Sequence, residues 1–251
     1  MFQIVQGLVI RSVDYKEADK ILTVLTGEYG KLTVTARGAR RKGSRVSAAS
    51  QLFAYSEMTL FAHNGRFQLN EATILEQFTG IDKEIETLAL ASYIAEVLGC
   101  EEEQGQGNPL VLRLALNSLY ALAKGLYPRW RIKAAFELRY CALAGYAPDL
   151  SAGCAFCGCN VPEPILAPQA GVLCCRGCMP QLGERGLTLD QAALQAAQYI
   201  LTGDLKKLFS FEIEGRSKVL LEQACEAYLL ARLERGFRTL EFYRTLMDTE
   251  L

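Results

Sequence analysis

From the first residues to about position 78, apolar side chains recur at every second position. Phe2, Ile4, Leu8 and Ile10 share one parity, Leu32, Val34 and Ala36 repeat it, and Leu52, Ala54, Met58, Leu60, Phe67 and Leu69 continue it. A period of two sends alternate side chains to opposite faces of a strand. Gly27-Glu28-Tyr29-Gly30 and His63-Asn64-Gly65-Arg66 separate the runs. Gly and Asn accept positive φ at little cost, so both read as turns. About five short strands follow from this, enough for a small closed or partly open barrel.

From about Ile81 the period lengthens to that of a helix. Leu88 to Leu98 is apolar nearly all round, as in a helix buried among others. Asn108-Pro109 supplies an N-cap and a first-turn residue for a helix over Leu110 to Lys124, and Pro128 opens another through Tyr140, which ends near Gly145 and Pro148. Leu221, Cys225, Leu229 and Leu233 fall at i+4 steps with Ala224 and Tyr228 beside them, predicting a buried stripe on a C-terminal helix. Cys100, Cys141 and Cys225 lie on apolar helix faces and read as core. Ser151 to Pro180 fits neither period. It holds six of the nine cysteines with one acidic and one basic residue, and reads as a distinct insert. The expected class is α+β: a β-barrel over 1–80, a helical domain in two parts over 81–150 and 181–251, and a cysteine module over 151–180.

Half of the 251 residues are hydrophobic, 22% are charged, and Gly plus Pro amount to 28, which excludes a disordered tail, a collagen-like chain and a low-complexity scaffold. The longest nearly unbroken apolar stretch, Leu88 to Ala95, falls far short of the roughly 20 residues that span a bilayer, and Met1-Phe2-Gln3 opens a strand-like pattern and no signal peptide. A cytoplasmic protein with no membrane partner is expected. The single histidine, His63, excludes a His-rich metal site and a catalytic pair of imidazoles.

Cys154-x-x-Cys157, seventeen residues, then Cys175-x-x-Cys178 is the spacing of a four-cysteine zinc site built from two knuckles. Each Cys-x-x-Cys turn aims two sulfurs at one point. The segment has too few apolar residues to hold itself folded, so metal coordination would hold it. Four thiolates leave no open position, which points to one structural zinc per chain and away from hydrolysis. The alternative is disulfides or buried thiols, and nine cysteines in a cytoplasmic chain argue against disulfides. Cys159 and Cys174 flank the knuckles and leave the ligand choice open, although Cys174 also continues the apolar run Val172-Leu173.

The net charge is −1, so affinity for nucleic acid has to come from local clustering. Residues 1–80 carry ten basic and seven acidic side chains, and five of the ten, Arg37, Arg40, Arg41, Lys42 and Arg45, fall within nine residues free of acids. Gly38 and Gly43 with the small residues around them predict a flexible loop that follows the strand Lys31 to Ala36 and wraps a phosphate chain. The bland alternative is a solvated loop that only aids solubility. Tyr29, Phe53, Tyr55, Phe61 and Phe67 are available for base stacking, though most must be core in so small a barrel. A second basic group, Arg129, Arg131, Lys133 and Arg139, interleaves with Trp130 and Phe136. Ordinary ion pairs with acids such as Glu137 compete there with a docking groove for an acidic, hydrophobic-ended peptide. Enzyme chemistry has little to stand on: the main acidic run, Glu101-Glu102-Glu103, reads as a solvated linker, and no phosphate-binding Gly-x-x-x-x-Gly-Lys-[Ser/Thr] loop is present.

Glu17-Ala18-Asp19-Lys20-Ile21-Leu22-Thr23-Val24-Leu25, Glu28-Tyr29-Gly30-Lys31, Ala36-Arg37-Gly38-Ala39-Arg40-Arg41 and Ser44-Arg45 resemble the opening of the bacterial recombination mediator RecO family. Phe136-Glu137-Leu138-Arg139, Gly145-Tyr146-Ala147-Pro148 and the two Cys-x-x-Cys pairs follow in that family's order. The resemblance implies an N-terminal OB-fold over 1–80, a helical domain and a zinc-binding module. It further implies a non-enzymatic protein that binds single- and double-stranded DNA and anneals strands coated by single-stranded-DNA-binding protein. Such a protein works with RecR to load RecA, as a cytoplasmic, nucleoid-associated repair factor. Arg37, Arg40, Arg41, Lys42 and Arg45 fall on its basic loop, and Cys154, Cys157, Cys175 and Cys178 on its zinc ligands. Arg129 and Arg131 are candidates for the acidic tail of the single-stranded-DNA-binding protein. The competing reading is a zinc-containing protein-interaction adaptor without DNA affinity of its own.

Overall fold

The computed structural model describes residues 1–100, 105, 107–151 and 153–249. The run Glu101-Glu102-Glu103, read above as a linker, lies outside them. Five strands, β1 (Phe2–Tyr15), β2 (Asp19–Thr26), β3 (Gly30–Ala36), β4 (Tyr55–His63) and β5 (Arg66–Glu76), close a barrel in the order β1-β2-β3-β5-β4. β3 and β5 are its parallel pair, with Val34 beside Phe67, and the other neighbours are antiparallel. This is the strand order of an OB-fold.

Two turns close hairpins where the sequence marks them. Gly30 takes φ +67° at the end of the β2–β3 turn, and Asn64 and Gly65 take φ +48° and +71° between β4 and β5. Val5, Val9, Leu22, Val24, Leu32, Val34, Met58, Leu60 and Leu69 fill the barrel. The parity of β1 departs from the sequence pattern. Phe2 and Ile4 are 60% and 66% exposed, while Val5 and Val9 face inward. A register shift between Val9 and Arg11 breaks the alternation, and Leu8 and Ile10 are buried as well.

The helices are α1 (Ile85–Leu98), α2 (Pro109–Lys124), α3 (Arg129–Leu143), α4 (Gln191–Thr202), α5 (Gly215–Leu233) and α6 (Arg238–Thr249). The chain forms two compact units, Met1–Lys124 with Phe237–Leu251, and Gly125–Gly236. The first therefore combines the barrel with α1, α2 and α6, and its limits differ from the segment limits read from the pattern. Within it the side chain of Asn108 accepts the N–H of Leu110 at 3.0 Å, capping α2 as its sequence predicts. Gly107 donates to the carbonyl of Glu28 at 3.1 Å, so close that a Cβ there would lie 2.6 Å from the Glu28 backbone. Tyr93 of α1 meets Phe237 edge-on at 5.7 Å, and Glu96 accepts the N–H of Thr239 at 3.1 Å, which fastens α6 to α1.

In the second unit α3 packs on α5, and Leu221, Cys225 and Leu229 are buried as the stripe predicts, with Leu233 half-buried. Arg139 donates to the carbonyls of Ile200 at 3.0 Å, Leu201, and Gly203 at 2.6 Å, capping the C-terminus of α4. Lys133 lies 2.7 Å from both Glu137 and Glu226. Burial would push its ammonium down, but Glu137 and then Glu226 outweigh this and hold it above its ordinary value. Both cations are engaged inside the unit. Among the described residues no helix is long and apolar enough to cross a membrane.

Three short strands, β6 (Ile165–Ala167), β7 (Val172–Cys174) and β8 (Leu187–Thr188), form a sheet in the order β7-β6-β8. The β6–β7 turn is tied down twice: Glu184 accepts the N–H groups of Gln169 and Ala170 at 2.7 and 3.0 Å, and Arg232 of α5 donates to the carbonyls of Pro168 and Gln169.

Candidate functional site

The sheet positions the thiols. Cys154 precedes it, Cys175 and Cys178 leave the end of β7, and the sulfurs of Cys154, Cys157, Cys175 and Cys178 all lie within 4.8 Å of one another. Backbone N–H groups of Cys157 and then Cys175 point at the Cys154 sulfur and hold that thiol down to about 6. The N–H of Cys178 lowers Cys175 in the same way. Donors aimed at sulfur favour the thiolate, the form that binds metal. This donor set fits a metal ion. Cys174 lies apart from it in character: it sits in β7 opposite Ile165, buried in a small core with Cys154, Ala167 and Met179. Cys159 is exposed, with its sulfur 3.3 Å from that of Cys157. Of the three cysteines read as core, Cys141 and Cys225 are buried and Cys100 only half-buried, at the end of α1.

The basic segment is no loose loop. Residues 37–47 form consecutive turns, closed by Arg41 N–H to Gly38 O at 3.0 Å and Ser44 N–H to Arg41 O at 3.1 Å, and lead into a short 3-10 helix, Ala48–Ser50. Ala39 and Val46 are buried in the barrel core, and Asp19 accepts the N–H of Gly38 at 2.8 Å. Small residues here serve as anchors, which corrects the expectation of flexibility. Around these anchors Arg37, Arg40, Arg41, Lys42 and Arg45 are exposed. Arg40 is partly engaged, 3.3 Å from Asp14 and donating to the carbonyl of Glu17. The other four pair with no carboxylate among the described residues. Asp14 and Glu17 are partners that sequence reasoning missed; the β2–β3 hairpin, which sets Lys20 opposite Ala36, brings the residues before β2 next to those after β3.

Arg129 and Arg131 stand in the first turn of α3, both half-buried. The guanidinium of Arg131 lies 5.6 Å from the rings of Trp130 and Phe211 and 6.0 Å from Tyr127, and donates to the carbonyl of Phe209 at 3.4 Å. Tyr127 and Trp130 are its neighbours in the chain, whereas Phe211 and the Phe209 carbonyl come from a distant segment that no local pattern could place. Of the five aromatics available for stacking, Phe53 is buried and Phe67 packs on the barrel core, whereas Tyr29 and Phe61 are exposed and Tyr55 is half-buried.

These features define a two-unit protein: an OB-type barrel carrying an anchored cationic segment, and a helical unit carrying a four-thiol cluster able to hold a metal. Two family models match, "Recombination protein O N terminal" over residues 1–78 and "Recombination protein O C terminal" over residues 82–241. The chain is 32% identical over 242 residues to the DNA repair protein RecO of Acetivibrio thermocellus, covering 96% of this chain and 95% of that one. It is 33% identical over 248 residues to its counterpart in Symbiobacterium thermophilum, covering 96% of each, and 29% identical over 223 residues to that of Listeria monocytogenes, covering 89% and 86%. The chain belongs to the RecO family of DNA repair proteins.

Proposed function

We propose that this chain is a non-enzymatic recombination mediator. It binds single- and double-stranded DNA, anneals single strands coated by single-stranded-DNA-binding protein, and with RecR helps to load RecA. The observation that carries this reading is the exposure of Arg37, Arg41, Lys42 and Arg45, unpaired among the described residues, on a segment anchored to the barrel. Annealing makes and breaks no covalent bond. It needs two polyanions brought together, and cations that lower their repulsion meet that need. Contacts of this kind go to phosphate and sugar, so weak sequence preference follows.

Cys154, Cys157, Cys175 and Cys178 are the residues that would hold one zinc ion. Four thiolates saturate a tetrahedral ion, so its contribution is structural. Arg129 and Arg131 are the proposed contacts for the acidic, hydrophobic-ended tail of single-stranded-DNA-binding protein; the aromatic rings around Arg131 suit such a terminus. The setting is cytoplasmic and nucleoid-associated.

The test is annealing of complementary oligonucleotides coated with the cognate single-stranded-DNA-binding protein. The chain is expected to accelerate duplex formation without cleaving labelled strands in magnesium or manganese. Tight binding to protein partners with no DNA affinity at about 50 mM salt, where a few phosphate contacts still register, would establish the adaptor reading in its place.

A further inference from the structure

The outer wall of the barrel carries a surface that strand register assembles from residues far apart in the chain. Val13 lies beside Ile21, Ile21 beside Thr35, and Thr35 beside Gln68, one residue from each of β1, β2, β3 and β5. Two positions back along β1, Arg11 lies beside Thr23, and Thr23 beside Thr33; two positions forward, Tyr15 lies beside Asp19. Side chains two apart share a face, so the three rows form one surface. The intervening Leu22, Val34 and Leu69 fill the barrel, which fixes these rows as outward-facing.

The surface is open to water. Val13 and Tyr15 are 43% and 42% exposed, and Arg11 and Thr33 are exposed beside them. Its two upper rows hold no carboxylate. Asp19, in the third, already accepts the N–H of Gly38. Cations border it: Arg11 at one edge, Lys16 with its ammonium 5.2 Å from the Tyr15 ring centroid, and Arg37, which follows Ala36 at the end of β3 and leads into the cationic segment.

An aromatic and aliphatic strip edged by cations, with the nearby carboxylates of Asp19 and Asp14 engaged by the Gly38 N–H and by Arg40, suits unpaired nucleotides: a base lies on the Tyr15 ring and phosphates on the cations. A duplex keeps its bases stacked inside and offers only phosphate, so it gains from the cations and nothing from the strip. We propose that this face, with Tyr15 as the stacking platform and Arg11 as a phosphate contact, adds affinity for single strands that a duplex does not gain, whereas the segment 37–45 serves either form of DNA. The proposal rests on the DNA-binding reading above.

Fluorescence anisotropy with a labelled oligothymidylate and with a labelled duplex of equal length separates the two roles. Tyr15→Ala is expected to weaken single-strand binding about fivefold or more, the loss of one stacked base, and to leave duplex binding nearly unchanged. Tyr15→Phe, which keeps the ring, should restore it. Val13→Ser should lose part of the same single-strand affinity, and Arg41→Ala should weaken both DNA forms. These side chains are exposed, and thermal midpoints of the variants confirm that the fold is intact. Equal losses on the two DNA forms, or no loss on single strands in Tyr15→Ala and Val13→Ser, overturns the role of this face while leaving the function standing. A complete lack of single-strand binding by the unaltered chain overturns both.

Discussion

Arg40 and Lys133 belong to the two basic groups visible in the sequence, and the fold treats them oppositely. Arg40 keeps its guanidinium at the surface, with Asp14 as its ion-pair partner, an arrangement worth little in stability. Lys133 is enclosed between two carboxylates, where its removal would strand them. Composition shows that cations are present, but only the fold shows which are spent. Cys141, close to this ion pair, makes a pH-dependent test of the buried environment. Burial, and then the charge of Glu137, push its thiol from 9.0 up to about 12. Below pH 9 folded and unfolded chains both keep the proton, so the group's contribution is complete there. As pH climbs from 9 to about 12 the unfolded chain releases the proton and the folded chain holds it, so stability is lost. Urea unfolding under reducing conditions should therefore show a midpoint that drops between pH 8 and 10.5. The drop should be smaller in Cys141→Ala, by on the order of 1–2 kcal/mol. Parallel curves for the two proteins would exclude this assignment.

At the scale of elements, legibility followed periodicity and spacing. The five strands, the capped α2 and the stripe on α5 were all readable, because each is written in local spacing or local cap chemistry. The inner face of β1 was not, since the bulge between Val9 and Arg11 switches which parity faces inward, and the apolar run Leu8-Val9-Ile10 hides the switch. The cysteine module was legible as a cluster of four thiols but not as a scaffold. Its strands are two or three residues long, too short to show a period, and its turn is fixed by Glu184 and Arg232, which lie outside the insert. Strands this short do not persist alone, so the thiol cluster should govern the module's order. Elemental analysis is expected to find one zinc per chain, and Cys175→Ser should lose it. Cys174→Ala should keep it, because Cys174 packs in the core of the small sheet. Zinc retained in Cys175→Ser and lost in Cys174→Ala would reverse the ligand assignment.

For the whole molecule, the order of motifs along the chain pointed to the family, while the composition of the compact units stayed hidden. The return of α6 to the barrel unit depends on Tyr93 meeting Phe237 and Glu96 meeting Thr239, pairings across more than a hundred residues that leave no local signature. Net charge works at the same scale. At −1 the molecule as a whole exerts no pull on a polyanion, so the proposed DNA binding would have to come from local cations, those of the segment 37–45 first, through contacts that salt competes away. Each phosphate neutralised on a single strand contributes about 0.7 to the slope of log affinity against log salt. Replacing Arg37, Arg40, Arg41 and Arg45 together with Ala would flatten that slope by about 3 if all four acted fully, but Arg40 is shared with Asp14, so a change nearer about 2 is expected. The thermal midpoint should barely move, because the anchors Ala39 and Val46 are retained and the replaced side chains are exposed. A salt titration of oligonucleotide binding decides the matter: an unchanged slope in the fourfold variant would take this segment out of the DNA interface, and the cations bordering Tyr15 would have to account for binding on their own.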